Sequence, residues 1–145
     1  RLGPDGRGYV LADRTVRGLS PNGWARVVAT VASEFAADRI VAEGNVGGAL
    51  VVSILRSVDP HSPVRKVHAV VGKVARAEPV AALYEQGRVA HDGMFVDLED
   101  QMCGLLIGGA YAGPGRSPDR ADALVWALTE LMLGPVRAEP GVRSL

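Results

Sequence analysis

Ile40-Val41-Ala42-Glu43 runs straight into a glycine turn, Asn45-Val46-Gly47-Gly48, and the chain resumes as a mostly apolar stretch, ALVVSILRSV (49–58), that stops at Asp59-Pro60. The first run is too short for a helix and apolar enough for a strand in the middle of a sheet. The second is long enough for a helix. Strand, tight turn and helix in that order form the building unit of an α/β layer. Glu43 closes the strand, at the end where open sheets of this class place their ligands.

The alternation continues on both sides. Ser20-Pro21 starts a helix, with Ser20 as N-cap and Pro21 in the first helical position. Trp24, Val27, Val28, Val31 and Phe35 follow at helical spacing, which predicts a helix over 21–37. VRKVHAVV (64–71) reads as a strand, 74–87 as a helix closing on Gly87, 88–91 as a short edge strand and 98–107 as a helix. Residues 108–117 are glycine-rich loop. Ser117-Pro118 then repeats the cap signal, and Ala121, Leu124, Val125, Leu128, Leu131 and Met132 carry the core stripe of a last helix. Beyond Gly134-Pro135 a loose tail is expected. At the front, LGPDGRG (2–8) turns into YVLADRTV (9–16), the second half of an antiparallel hairpin. The chain opens inside that pattern, so a first strand is expected to lie outside it. The predicted fold is α/β, a single domain over 1–145 with its ordered core at about 8–133.

Charge and cysteine content narrow the classes. Sixteen basic and sixteen acidic residues cancel, so no global field selects a polyanionic partner. One cysteine, Cys103, excludes an internal disulfide and a thiolate zinc site, fits a reducing compartment and reads as a small core residue. The N-terminus carries no secretory signal, and no apolar run approaches the roughly 20 residues that span a bilayer, so a soluble protein is expected. GRG, GNVGG and GPGRS satisfy neither phosphate-loop signature, which excludes nucleotide binding.

The residues suited to chemistry are acids at element ends. Glu43 ends a strand, and Asp119 and Asp122 lie in the first turn of the last helix, where negative charge is favoured in any case. Capping accounts for one of the two but not both, because three-residue spacing puts them on one face, where they repel. Asp122 borders the apolar stripe and should point toward the sheet; Asp119 should lie nearer solvent. Asp13, closing YVLAD, stands at a further strand end. Clustered carboxylates need a cation, and hard oxygen donors select Mg²⁺ or Mn²⁺. Arg65, Lys66, Lys73, Arg76 and Arg88 gather in the middle of the chain, with Lys73 and Arg76 on one helix face. A solvated face is the plain reading; beside a metal site the same cations would hold phosphates. His61, His68 and His91 are not at ligand spacing, Ser117 lacks the elbow of a nucleophile, and Trp24 and Trp126 fall on core stripes.

Five segments in order, YVLADRTVRGLSPNGWA, IVAEGNVGGALV, VGKVARAEPVAALYEQGRVAHDG, LEDQMCG and SPDRADALVWALTEL, span about residues 8–133. Together they closely resemble the C-terminal nuclease domain of the large terminase subunit of tailed bacteriophages and phage-like gene transfer agents. The resemblance implies a ribonuclease H-like fold, with a mixed five-stranded sheet flanked by helices and an acidic site for two divalent metal ions, Mg²⁺ or Mn²⁺. The family's endonuclease cuts concatemeric double-stranded DNA to begin and end genome packaging. Glu43 and Asp122 map onto its second and third acids, with Asp13 and Asp119 as additional metal ligands; the acid of the family's first strand has no counterpart here. Lys73 and Arg76 become phosphate contacts, and 108–117 a loop gating access. The partners implied are double-stranded DNA, an N-terminal ATPase motor domain, the portal protein and the small terminase subunit, in the host bacterial cytoplasm at the procapsid. Two other readings share these residues: a junction resolvase of the same fold, and a catalytically silent docking module of the motor.

Overall fold

The structure, a computed structural model, describes residues 1–45, 47–105 and 110–134. Its elements are β1 (Gly8–Val10), α1 (Pro21–Glu34), β2 (Ile40–Glu43), α2 (Gly48–Val58), β3 (Val64–Val67), α3 (Lys73–Glu85), β4 (Val89–His91), α4 (Val96–Cys103) and α5 (Asp119–Leu128). A π-helical turn, Thr129–Leu133, continues α5. This is the expected mixed α/β architecture. Its strands pair as two parallel ladders: Ile40 opposite Val64 through Glu43 opposite Val67, and Gly8 opposite Val89 through Val10 opposite His91. Parallel neighbours need a crossover, and α2 supplies it between β2 and β3.

The core lies between β1, β4, α3, α4 and α5, where Val10, Val80, Leu83, Val89, Leu98, Leu124, Val125 and Leu128 are buried together. α1 packs on α2 over the other ladder. Ser20 caps α1 as expected, accepting from the Gly23 amide at 3.2 Å. The end of α3 also follows its sequence. Gly87 takes a φ of 65°, and the amides of Gly87 and Arg88 return to the carbonyls of Tyr84 and Leu83, the paired bonds of a left-handed glycine cap.

Several expectations need correction, each for a local reason. The front strand stops at Val10 instead of reaching 16, because the Asp13 carboxylate accepts from the Thr15 amide and hydroxyl and draws the chain out of the ladder. Its antiparallel partner is reduced to one bridge, Leu2 to Gly8, and β1 spends its length on β4 instead. β3 ends at Val67 because the Asn45 amide takes both the N–H and the carbonyl of Ala69, each at 2.8 Å. α4 runs from Val96 to Cys103, not from 98 to 107, and residues 106 and 107 lie outside the described ones. It stops where the returning chain crosses it: a β-carbon on Gly104 would lie 2.3 Å from the Cα of Gly113. Cys103 is exposed, not core, since α4 buries Leu98 and Gln101 on its other side. Leu131 is exposed too, because the π-turn shifts the helical phase before the stripe ends.

Ser117 does not cap the last helix. Pro118 occupies the cap position, and the buried Gln101 of α4 supplies the acceptor instead, its Oε1 taking the Arg120 amide at 2.8 Å and the Ala121 amide at 3.4 Å. A helix start buried against a neighbour can be satisfied from that neighbour. The predicted turn at 45–48, loop at 108–117 and tail beyond 134 fall partly or wholly on residues outside the described ones (46, 106–109 and 135–145).

Leu83 is 2 % exposed at the centre of the core. Leu83→Ala should lower unfolding stability by about 2–5 kcal/mol, read from urea denaturation followed by far-UV circular dichroism. A loss under about 1 kcal/mol would place Leu83 outside the cooperative core.

Candidate functional site

Three element ends meet at one corner of the molecule: the carboxyl end of β2 with Glu43, the amino end of α3 with Lys73 and Arg76, and the amino end of α5 with Asp119 and Asp122. Acids suit a helix amino end, but cations there oppose the helix dipole. Lys73 and Arg76 therefore need partners, and α5 and β2 provide them.

Arg76 is the hub. Its Nη2 lies 2.7 Å from Asp122 Oδ1 and 3.9 Å from Glu43 Oε2, so one guanidinium faces two carboxylates distant in sequence. Nη1 donates to the Val71 carbonyl at 2.7 Å. The guanidinium carbon lies 4.9 Å from the Trp126 ring centroid, within reach of a cation–π contact. Trp126 Nε1 in turn donates to Glu43 Oε2 at 3.2 Å. Lys73 Nζ stands 2.9 Å from Asp119 Oδ1, 2.9 Å from Ser117 Oγ and 3.5 Å from Asp122 Oδ2. The side chains of Arg76 and Asp122 are only 10 % and 8 % exposed, whereas Asp119 is 67 % exposed. Hydrogen bonds from Lys73 and Ser117 hold the Asp119 carboxyl below its ordinary value of 3.8. Partial burial acts to lower the Lys73 ammonium, but its bonds and charge contacts with Asp119 and Asp122 outweigh that and raise it.

Asp13 sits apart from this chain of ion pairs. Arg120 Nη1 holds it at 2.7 Å while Nη2 holds Asp97 at 2.9 Å. Burial acts to raise the Asp13 carboxyl, but the bonds from Thr15 and Arg120 outweigh it and leave it below the ordinary value. Of the other cations singled out in the sequence, Arg65 pairs with Glu130 of the π-turn at 2.8 Å, where Arg39 joins it. Lys66 lies over the glycine turn, where a β-carbon on Gly44 would come within 2.6 Å of its Cδ. The glycines beside Glu43 thus admit the Lys66 stem.

Among the described residues no group of three or more His, Cys, Asp or Glu lies close enough to hold one metal ion. What is assembled is an alternating acid–base network, in which the Arg76 guanidinium stands between Glu43 and Asp122. The donors are carboxylate oxygens, the type that Mg²⁺ and Mn²⁺ take, and the space between the two acids already accommodates a cation's charge. On that chemistry the pair fits a divalent ion if the guanidinium gives way.

Residues 3–131 match the family model described as the terminase RNase H-like domain, far more than half of the chain. The chain belongs to this terminase family. Neither a comparison with curated proteins nor one with solved structures found a match. Membership gives the domain a terminase nuclease-type role and accords with the α/β layering around the corner described above. Among the described residues, no helix of this terminase domain is long and apolar enough to cross a membrane.

Sequence reasoning missed Trp126, which it read as packing, and Gln101, which positions the amino end of α5. The spacing held a signal for the first: Trp126 follows Asp122 by one helical turn and so shares its face. It held none for Gln101, whose role depends on how α4 meets α5.

The Asp119 carboxyl is depressed in the fold, so its contribution to stability is present above its ordinary value of 3.8 and is lost as pH falls through the folded value. The Lys73 ammonium is raised, so its contribution is present below 10.5 and is lost as pH rises through the folded value. In Lys73→Met the Asp119 carboxyl should return toward 3.8, measured by carbon-detected NMR titration. An Asp119 titration identical in both proteins would break the assignment of the shift to Lys73.

Proposed function

We propose that this terminase domain is a metal-dependent endodeoxyribonuclease that cuts concatemeric double-stranded DNA for genome packaging. The observation that carries the proposal is the meeting of Glu43 and Asp122, from a strand end and a helix start, on a single buried cation. A strand's carboxyl end is where open sheets of this class place their ligands, and helix amino ends favour the charge of a phosphodiester. Family membership supports the same reading.

Glu43 and Asp122 would hold divalent metal, Mg²⁺ or Mn²⁺ in two copies as the family resemblance implies, with Asp119 as a further ligand; Asp13, expected from the sequence to join them, is held apart by Arg120. Bound there, such ions supply a water of lowered pKa and charge stabilisation for the departing 3′ oxygen. Every other part falls to this chain's own side chains. Trp126 fixes the Glu43 carboxylate through its indole N–H and supports Arg76 with its ring. Ser117 accepts from Lys73 and donates to Asp119, which holds both at the rim of the site. Gln101 anchors the first turn of α5, and with it the placement of Asp122. Lys73 and Arg76 are the candidate phosphate contacts. Among the described residues no helix presents a row of base-reading side chains, so cutting should depend little on sequence. By resemblance the partners are an ATPase motor domain, the portal protein and the small terminase subunit, and the setting is the procapsid in the host cytoplasm.

Plasmid cleavage in MnCl₂ tests the reading. Glu43→Gln and Asp122→Asn should each reduce the rate by about 100-fold or more, and chelation should abolish it. Cleavage should also weaken steeply with added salt. Cutting unchanged in both variants would end the nuclease proposal in favour of a docking module, and cutting confined to branched substrates would identify a resolvase.

A further inference from the structure

The candidate phosphate-binding cations are not free to bind phosphate. Lys73 and Arg76 are ion-paired with the three acids of the same site, and the site's charge is set by that arrangement. Glu43, Asp119 and Asp122 bring three negative charges against two positive ones, which leaves one negative. A divalent ion alone would make the corner positive with two cations trapped beside it, and a phosphodiester alone would make it doubly negative. The first divalent ion and one phosphodiester together make it neutral. The interior of the site gives these differences weight, because Arg76 and Asp122 are almost fully buried and charge imbalance there is weakly screened. Arg76 is also held imperfectly. Its buried Nε finds no hydrogen-bond partner, which marks the present position as one the guanidinium can leave for a better-satisfied one.

We propose that Arg76 and Lys73 are resident counter-ions of the site, so that divalent metal and DNA phosphate enter by a coupled exchange: the phosphate draws the guanidinium and ammonium off Glu43, Asp119 and Asp122, and the vacated carboxylates take the metal. The inference rests on the metal-dependent nuclease reading and adds to it an order of dependence. Each ligand strengthens the other by the same factor, because coupling between two binding events is reciprocal. Arg76 is in this sense a positioning residue for the metal as well as a contact for the phosphate. Trp126 shares in it, since its ring holds the guanidinium in place and its N–H holds Glu43.

The test is calorimetric titration of MnCl₂, without DNA, into the wild type, Arg76→Gln, Arg76→Lys, Lys73→Met and Glu43→Gln. A parallel series follows the anisotropy of a labelled DNA duplex in EDTA. Removing the resident charge should tighten Mn²⁺ binding by about tenfold in Arg76→Gln and loosen the duplex by a similar factor, with Arg76→Lys close to the wild type. Mn²⁺ binding by Arg76→Gln where the wild type shows none supports the proposal as well. If Arg76→Gln does not fold, Lys73→Met, whose side chain is only partly buried, carries the same expectation. Wild-type Mn²⁺ binding that is lost in Glu43→Gln but unchanged or weaker in Arg76→Gln and Lys73→Met overturns the exchange and leaves the nuclease reading standing. Tighter Mn²⁺ with an unchanged duplex affinity overturns it too. Absence of Mn²⁺ binding from every protein in the series removes both.

Discussion

A guanidinium buried between two carboxylates organises this domain. Arg76 faces Asp122 and Glu43, lies over Trp126 and donates to the Val71 carbonyl, so α3, α5, β2 and the segment after β3 all meet on one side chain. Such an arrangement is not chosen for stability alone. Desolvating an ion pair costs several kcal/mol per charge, and apolar side chains of the same volume often do as well or better. Removing one partner is a different matter, because it strands the other charge in a low-dielectric setting. The network therefore fixes where three elements meet more than it adds to how tightly they hold.

α5 transmits that constraint through the fold. One of its faces, with Leu124, Val125 and Leu128, belongs to the core against β1, β4, α3 and α4. Its amino end carries Asp122 to Arg76, and its π-turn carries Glu130 to Arg39 and Arg65 beside and within the other ladder. The two ladders share no backbone hydrogen bonds with each other. α5 ties them, apolar where it meets the first and charged where it meets the second, and α3 adds a second tie through Arg76 and Glu43. The start of α5 is secured from α4 by Gln101, so packing in the core sets the position of an acid in the site.

How much of this was legible in the sequence depends on whether the information was local. The cap at Ser20, the left-handed close at Gly87 and the strand-turn-helix around Glu43 are each written in a few neighbouring residues, and each is found in the structure. The same rules failed at Ser117, where the cap signal was present but a glutamine from another helix reached the free amides first. They failed at the strand ends, where Asp13 and Asn45 side chains took backbone groups that the ladder would have used. At the site, the sequence ranked Asp122 as facing inward and Asp119 as facing solvent, and their exposures follow that order. It placed Lys73 and Arg76 on one face, as their shared contact with Asp122 requires. It gave no means of seeing that their first partners are the acids, since that follows from α3 and α5 lying side by side.

The overall charge of zero takes on a specific meaning in this light. A chain with no net field gains no long-range steering toward a polyanion, and Lys73 and Arg76 at the candidate site are already engaged. Attraction to a phosphate backbone must then come from short-range replacement of internal partners, not from a standing positive surface. Replacement of that kind leaves carboxylates behind, and carboxylates left without a cation at a buried corner are costly. A second cation has to arrive for the exchange to be favourable. The ion pairing at this corner would thus tie an anion accepted at Arg76 to a cation accepted at Asp122 and Glu43.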